Sequence, residues 1–99
     1  MNYQLVRLHM PTSDESRERL SEIENQLAIH FEENPIGEYD GNEIGEGQFT
    51  VWLYGADADQ LAKEVQKVLG PLSVPTGSFL FLRHGSVEDE NAQVQKIPL

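Results

Sequence analysis

Two hydrophobic rhythms alternate along this chain, and their order constrains the fold more than any single residue does. Asn2 to Met10 runs with a period of two, setting Gln4, Val6, Leu8 and Met10 against Tyr3, Leu5, Arg7 and His9, as a β-strand requires. Both sides carry apolar residues, which predicts a central strand. Pro11-Thr12-Ser13 breaks the alternation. Thr12 or Ser13 can cap the following helix, with Glu15 three residues after Thr12 in the capping-box position. From Asp14 to about Glu33, Leu20, Ile23, Leu27 and Phe31 recur at helical spacing and make one apolar stripe. Asn34-Pro35 ends that helix, because the residue before a proline avoids helical geometry.

Ile36 to Ile44 is a weaker strand interrupted by Gly37 and Gly41, and Gly45-Glu46-Gly47 turns it into Gln48 to Tyr54. In that second strand Phe49, Val51 and Leu53 share one face while Thr50, Trp52 and Tyr54 share the other. Asp57 can cap a second helix, with Gln60 at its capping-box position. Ala58, Leu61, Val65, Val68 and Leu69 form its stripe, Asp59 and Lys63 are spaced to pair, and Gly70-Pro71 stops it. Ser78 to His84 reads as a strand with Leu80 and Leu82 opposed to Phe79, Phe81 and Arg83. From about Gly85 an acidic loop, Glu88-Asp89-Glu90, leads to a tail whose weak alternation through Val94 can add a short last strand.

Strand, helix, strand, strand, helix, strand within 99 residues is the order of an α+β, ferredoxin-like βαββαβ two-layer sandwich, an antiparallel sheet with both helices on one face. The whole chain, 1–99, reads as one domain. The first and third strands belong in the middle, with Val6, Leu8, Val51, Leu53, Leu80 and Leu82 toward the helices. The other sheet face then carries Tyr3, Leu5, Arg7, Trp52, Tyr54, Phe79, Phe81 and Arg83, a patch of the kind that marks a contact surface. Two alternatives stand beside this: the C-terminal tail covers the face, or the inward and outward assignment is reversed.

Seventeen acidic against seven basic side chains give a net charge of −10, which opposes approach to phosphate backbones and anionic membranes. Neither nucleic acid nor membrane is expected as a partner. Aromatic residues on the middle strands resemble the RNA-recognition motif in geometry, but Gln48 to Tyr54 lacks that motif's basic and glycine-aromatic pattern. The chain has no cysteine, which removes disulfides and thiolate chemistry. Met1 to Met10 has no continuous apolar core of the secretory type, so a cytoplasmic location is the expectation.

The candidate site of another kind is the acidic hairpin. Glu38, Asp40, Glu43 and Glu46 are oxygen donors suited to calcium or magnesium, yet their spacing is not that of an EF-hand. Strand alternation places Glu38 and Asp40 on one face and Glu43 on the other, which splits the cluster. Asp40-Gly41 and Gly45-Glu46-Gly47 are more simply a bulge and a turn, so no metal and no cofactor is expected. No serine lies in a nucleophile elbow, no glycine-rich loop precedes a helix, and no catalytic residue stands out.

The stretch from Gly37 through Gly47 and on through Tyr54-Gly55-Ala56-Asp57-Ala58-Asp59-Gln60-Leu61 resembles a group of small uncharacterised bacterial proteins. They share an acidic Asp-Gly and Gly-x-Gly hairpin followed by Tyr-Gly-x-Asp-Ala-Asp. The resemblance implies a compact α/β domain of bacterial origin and no particular activity. Three functional readings follow. The first is a non-enzymatic protein-interaction or dimerisation domain using the open sheet face, most simply as a homodimer. The second is an acidic inhibitor or immunity-type protein bound to a basic partner, and the third a small enzyme or ligand-binding domain.

Overall fold

The computed structural model describes residues 4–12, 17–85 and 89–99. The helix cap expected around Ser13 to Glu15, and with them Tyr3 and Glu88, lie outside the described residues. The elements are β1 (Gln4–Pro11), α1 (Arg17–Glu33), β2 (Gly37–Gly45), β3 (Gln48–Gly55), α2 (Ala58–Leu69), β4 (Phe79–Arg83) and β5 (Val94–Pro98). They form an α+β structure in which five strands, in the order β2-β3-β1-β4-β5, make an antiparallel sheet. The two-faced apolar strand β1 is third of the five, paired at both edges by β3 and β4.

One sheet face and the two helices enclose the core. Val6, Leu8 and Met10 of β1, Val51 and Leu53 of β3, and Leu80 and Leu82 of β4 are fully buried. They meet Leu20, Ile23, Leu27 and Phe31 of α1 and Ala58, Leu61, Val65 and Leu69 of α2 in a single cluster. The stripes that the helical periodicity predicts are the buried ones, except that in α2 Val68 is only partly buried and Ala62 joins the core. Asp57 caps α2 as expected, its Oδ1 accepting from the backbone N–H groups of Asp59 and Gln60 at 2.9 and 3.2 Å. At the end of α1, the carbonyl of His30 accepts twice from Asn34, from its backbone N–H at 2.9 Å and from its amide Nδ2 at 3.0 Å.

The expected Asp59–Lys63 pair does not form among the described residues. Asp59 lies 3.9 Å from His84 Nε2, at the loop that follows β4, and Glu64 takes the helix-to-helix contacts instead. His30 Nε2 of α1 stands 2.8 Å from Glu64 Oε1, with Lys67 Nζ at 3.6 Å from the other oxygen. The His30 hydrogen bond, seconded by Lys67, holds the Glu64 carboxyl below its usual range against the cost of desolvation.

The hairpin between β2 and β3 closes with two residues. Gly45 pairs with Gln48, and both loop residues have left-handed backbones, Glu46 at φ 53° and Gly47 at φ 76°. That is the signature of a type I′ turn, whose twist matches the strands it joins. Further along, the β2–β3 register slips between Tyr39 and Gly41, a bulge that leaves Asp40 unpaired and Gly41 at φ 117°.

Candidate functional site

Cross-strand registers order the sheet face opposite the helices into three rows. Glu38, Tyr54, Leu5, Arg83 and Val94 stand abreast in the first. Gly41, Trp52, Arg7, Phe81 and Lys96 form the second, and Glu43, Thr50, His9, Phe79 and Pro98 the third. Among its described residues the tail meets this face only at Arg83, through the Asp89 carbonyl, and does not lie across it. It continues the sheet as β5, paired with β4 from Phe79–Pro98 to Arg83–Val94, and so widens the surface.

The structure brings Leu5, Arg7, Trp52, Tyr54, Phe79, Phe81 and Arg83 together here, and adds His9 and Lys96. The face differs from a bare apolar patch. Leu5 is buried beneath its neighbours, the four aromatic rings are half-buried, and of the two most exposed large hydrophobics only Val94, on the outer strand β5, lies on this face, Ile44 lying on the helix side of β2. Cations cover the rings. The Arg7 guanidinium carbon lies 4.2 Å from the Phe81 ring centre and 5.2 Å from that of Trp52, so the cation is held between two aromatic rings. Lys96 Nζ sits 4.2 Å from the centre of Phe79, whose other contact is a near-parallel stack with His9 at 4.6 Å. The sequence reading missed His9 and Lys96 as members of this layer. His9 alternates with Arg7 and so shared its face, while Lys96 depends on the non-local register of β5.

Three of the seven Lys and Arg side chains thus gather on one face of a strongly acidic chain. Among the described residues none of the three has a carboxylate within ion-pair distance. Arg83 donates through Nη2 to the backbone carbonyl of Asp89. Buried side-chain nitrogens without a partner among the described residues are Arg7 Nε, His9 Nε2 and Arg83 Nε, all of them on this face. Such groups normally find partners, and three on adjacent strands mark this surface off from the rest of the molecule.

His9 Nδ1 is 3.2 Å from Gln48 Oε1 and 3.3 Å from Thr50 Oγ1. Burial pushes its pKa below the ordinary histidine value, Arg7 and Lys96 push the same way, and the Gln48 hydrogen bond opposes them. The unfolded imidazole takes its proton near 6.5 and the folded one at lower pH. Stability from this residue is therefore complete above about pH 6.5 and is lost as pH falls through the folded pKa. Urea midpoints at pH 7.5 and 5.5 should differ less in His9→Gln than in the wild type; an unchanged difference would show that His9 carries none of the pH dependence.

The acidic hairpin borders this face, and the bulge corrects its geometry. With the register slipped at Asp40, Glu38 opposite Tyr54 and Glu43 opposite Thr50 fall on the same face, not on opposite ones. Glu43 and Glu46 line a shallow cleft of about 510 Å³ with Arg7, His9, Gln48 and Trp52. Asp40 is exposed at the bulge, and among the described residues no three His, Asp or Glu side chains converge as metal ligands would. On the opposite side of β2, Tyr39 and Asn42 both donate to Glu24 Oε1 of α1, which fastens the hairpin to the helix layer. A larger groove of about 660 Å³ lies between the end of α1 and the start of β2, with Tyr54 and Glu38 at its rim.

No family model, curated protein or solved structure matches this chain in comparison with known proteins. No helix of the described residues is long and apolar enough to cross a membrane.

Proposed function

We propose that this chain is a non-enzymatic protein-interaction domain whose interface is the open face of the sheet, engaged most simply by a second copy. In this reading the first four strands with the two helices are a ferredoxin-like sandwich, and β5 is an added edge strand that widens the binding surface. The observation that carries it is the layer built around Arg7, a guanidinium between Trp52 and Phe81, with nitrogens of Arg7, His9 and Arg83 that have no partner among the described residues. Tryptophan and arginine are the side chains that dominate binding energy at interfaces, and a desolvated arginine between rings is already arranged to be covered. The experiment is the light-scattering mass of the wild type beside Trp52→Ala/Phe81→Ala, with affinity capture of partners by both.

A basic partner is the second reading, and it belongs to the other layer. The outward side of α1 exposes Glu18, Glu22, Glu32 and Glu33, away from the cations of the sheet. A complex made there weakens sharply with salt.

A further inference from the structure

We propose that the open face is self-complementary, so that two copies meet about a two-fold axis along β1, with Lys96 of each seated between Glu38 and Glu43 of the other. This rests on the reading that the open face is an interface. The observation behind it is the segregation of charge across the sheet. On the open side β2 presents Glu38 and Glu43 at one edge, while β4 and β5 present Arg83 and Lys96 toward the other. Rotation about the direction of β1 exchanges the two edges, so the acidic edge of one copy covers the basic edge of its mate, as an isologous interface requires. An axis running across the strands would set β2 against β2, and like charges opposed in this way are costly.

The rows make the match specific. Lys96 shares its row with Phe81, Arg7, Trp52 and, at the far edge, Gly41. In the two-fold arrangement Lys96 comes over Gly41 of the other copy, where nothing lies within 4 Å of the place a side chain would begin. Glu38 and Glu43 flank that opening one row to either side, about 7 Å along the strand and within reach of their own arms and the lysine's. In the same row Trp52 of each copy meets Phe81 of the other. Arg7 meets its own counterpart on the axis, where its planar group, already flat against two rings, offers stacking surface as well as charge.

Size and charge allow it. Five strands about 4.8 Å apart, with strands of up to nine residues rising about 3.3 Å each, give a face of several hundred Å² in projection, and the relief of its side chains brings it toward the roughly 800 Å² per partner of a stable complex. The net charge of −10 works against any self-association. The carboxylates of the helix layer, however, lie across a molecule 19 Å thick in its shortest dimension, beyond the roughly 8 Å over which charge acts at physiological salt.

Sedimentation velocity on four samples tests this: the wild type, Lys96→Glu, Glu38→Lys/Glu43→Lys, and an equimolar mixture of the two variants, each checked for fold by circular dichroism. The wild type should dimerise and each variant alone should bind itself roughly 100-fold more weakly. The mixture should dimerise again, because one of the two symmetry-related contacts is then the wild-type one and the other is restored with its signs exchanged. A Lys96→Glu variant that dimerises like the wild type, or a mixture that stays monomeric, overturns the arrangement. If the wild type dimerises and only Trp52→Ala/Phe81→Ala abolishes it, the face remains the interface and this axis is wrong; a wild type that is monomeric at 100 µM defeats the two-fold arrangement whatever other partner the face binds.

Discussion

Leu53→Ala should cost about 3 kcal/mol of folding stability, whereas Trp52→Ala, one residue earlier on the same strand, should cost about 1 kcal/mol. Leu53 is fully buried in the core cluster, and truncating it leaves a cavity that the sheet and α2 can close only in part. Trp52 lies on the open side, half-buried, where its loss removes one ring from the Arg7 layer and opens no cavity in the core. Urea unfolding of the two variants decides the matter. If Trp52→Ala proves as destabilising as Leu53→Ala, the open face is a second core, and its aromatic residues are there for folding alone.

Gly55→Val should destabilise by about 3 kcal/mol. Gly55 pairs with Gly37 where β2 begins and β3 ends, and α2 presses on both through Leu61. A β-carbon on Gly55 would stand 3.0 Å from the backbone carbonyl oxygen of Ile36 and 3.3 Å from Leu61 Cδ2. The leucine can swing away, but the carbonyl moves only with the strand. A β-carbon on Gly37 would meet the Tyr54 carbonyl oxygen at 3.1 Å, but its tightest contact, at 2.5 Å, is with the Leu61 side chain. Trimming Leu61 should therefore relieve a Gly37→Ala variant more than a Gly55→Val variant. Thermal melting of the two glycine variants, each with and without Leu61→Ala, checks this; equal relief would mean that the backbone contact carries little of the cost.

Much of the architecture was legible because it rests on local rhythm. The stripes of α1 and α2, the Asp57 cap, the inward set of Val6, Leu8, Val51, Leu53, Leu80 and Leu82, and the short last strand follow from spacing and capping chemistry. The face of Glu43 was less easily read, although the sequence holds the clue. Asp40-Gly41 reads as a bulge, and a bulge carries every later residue of its strand to the other face, so the simple alternation that separated Glu38 from Glu43 could not hold with it. What local rhythm cannot supply is the pairing between distant segments. The register of β5 on β4 places Lys96 abreast of Phe81 and Arg7, and that turns an expected apolar patch into a layer of cations over rings.

The light-scattering mass of the wild type beside that of Trp52→Ala/Phe81→Ala, at equal concentration and physiological salt, tests the central claim most directly. The wild type should show twice the monomer mass and the double variant the mass of a folded monomer. Equal masses, together with equal capture of other proteins by the two chains, would contradict it.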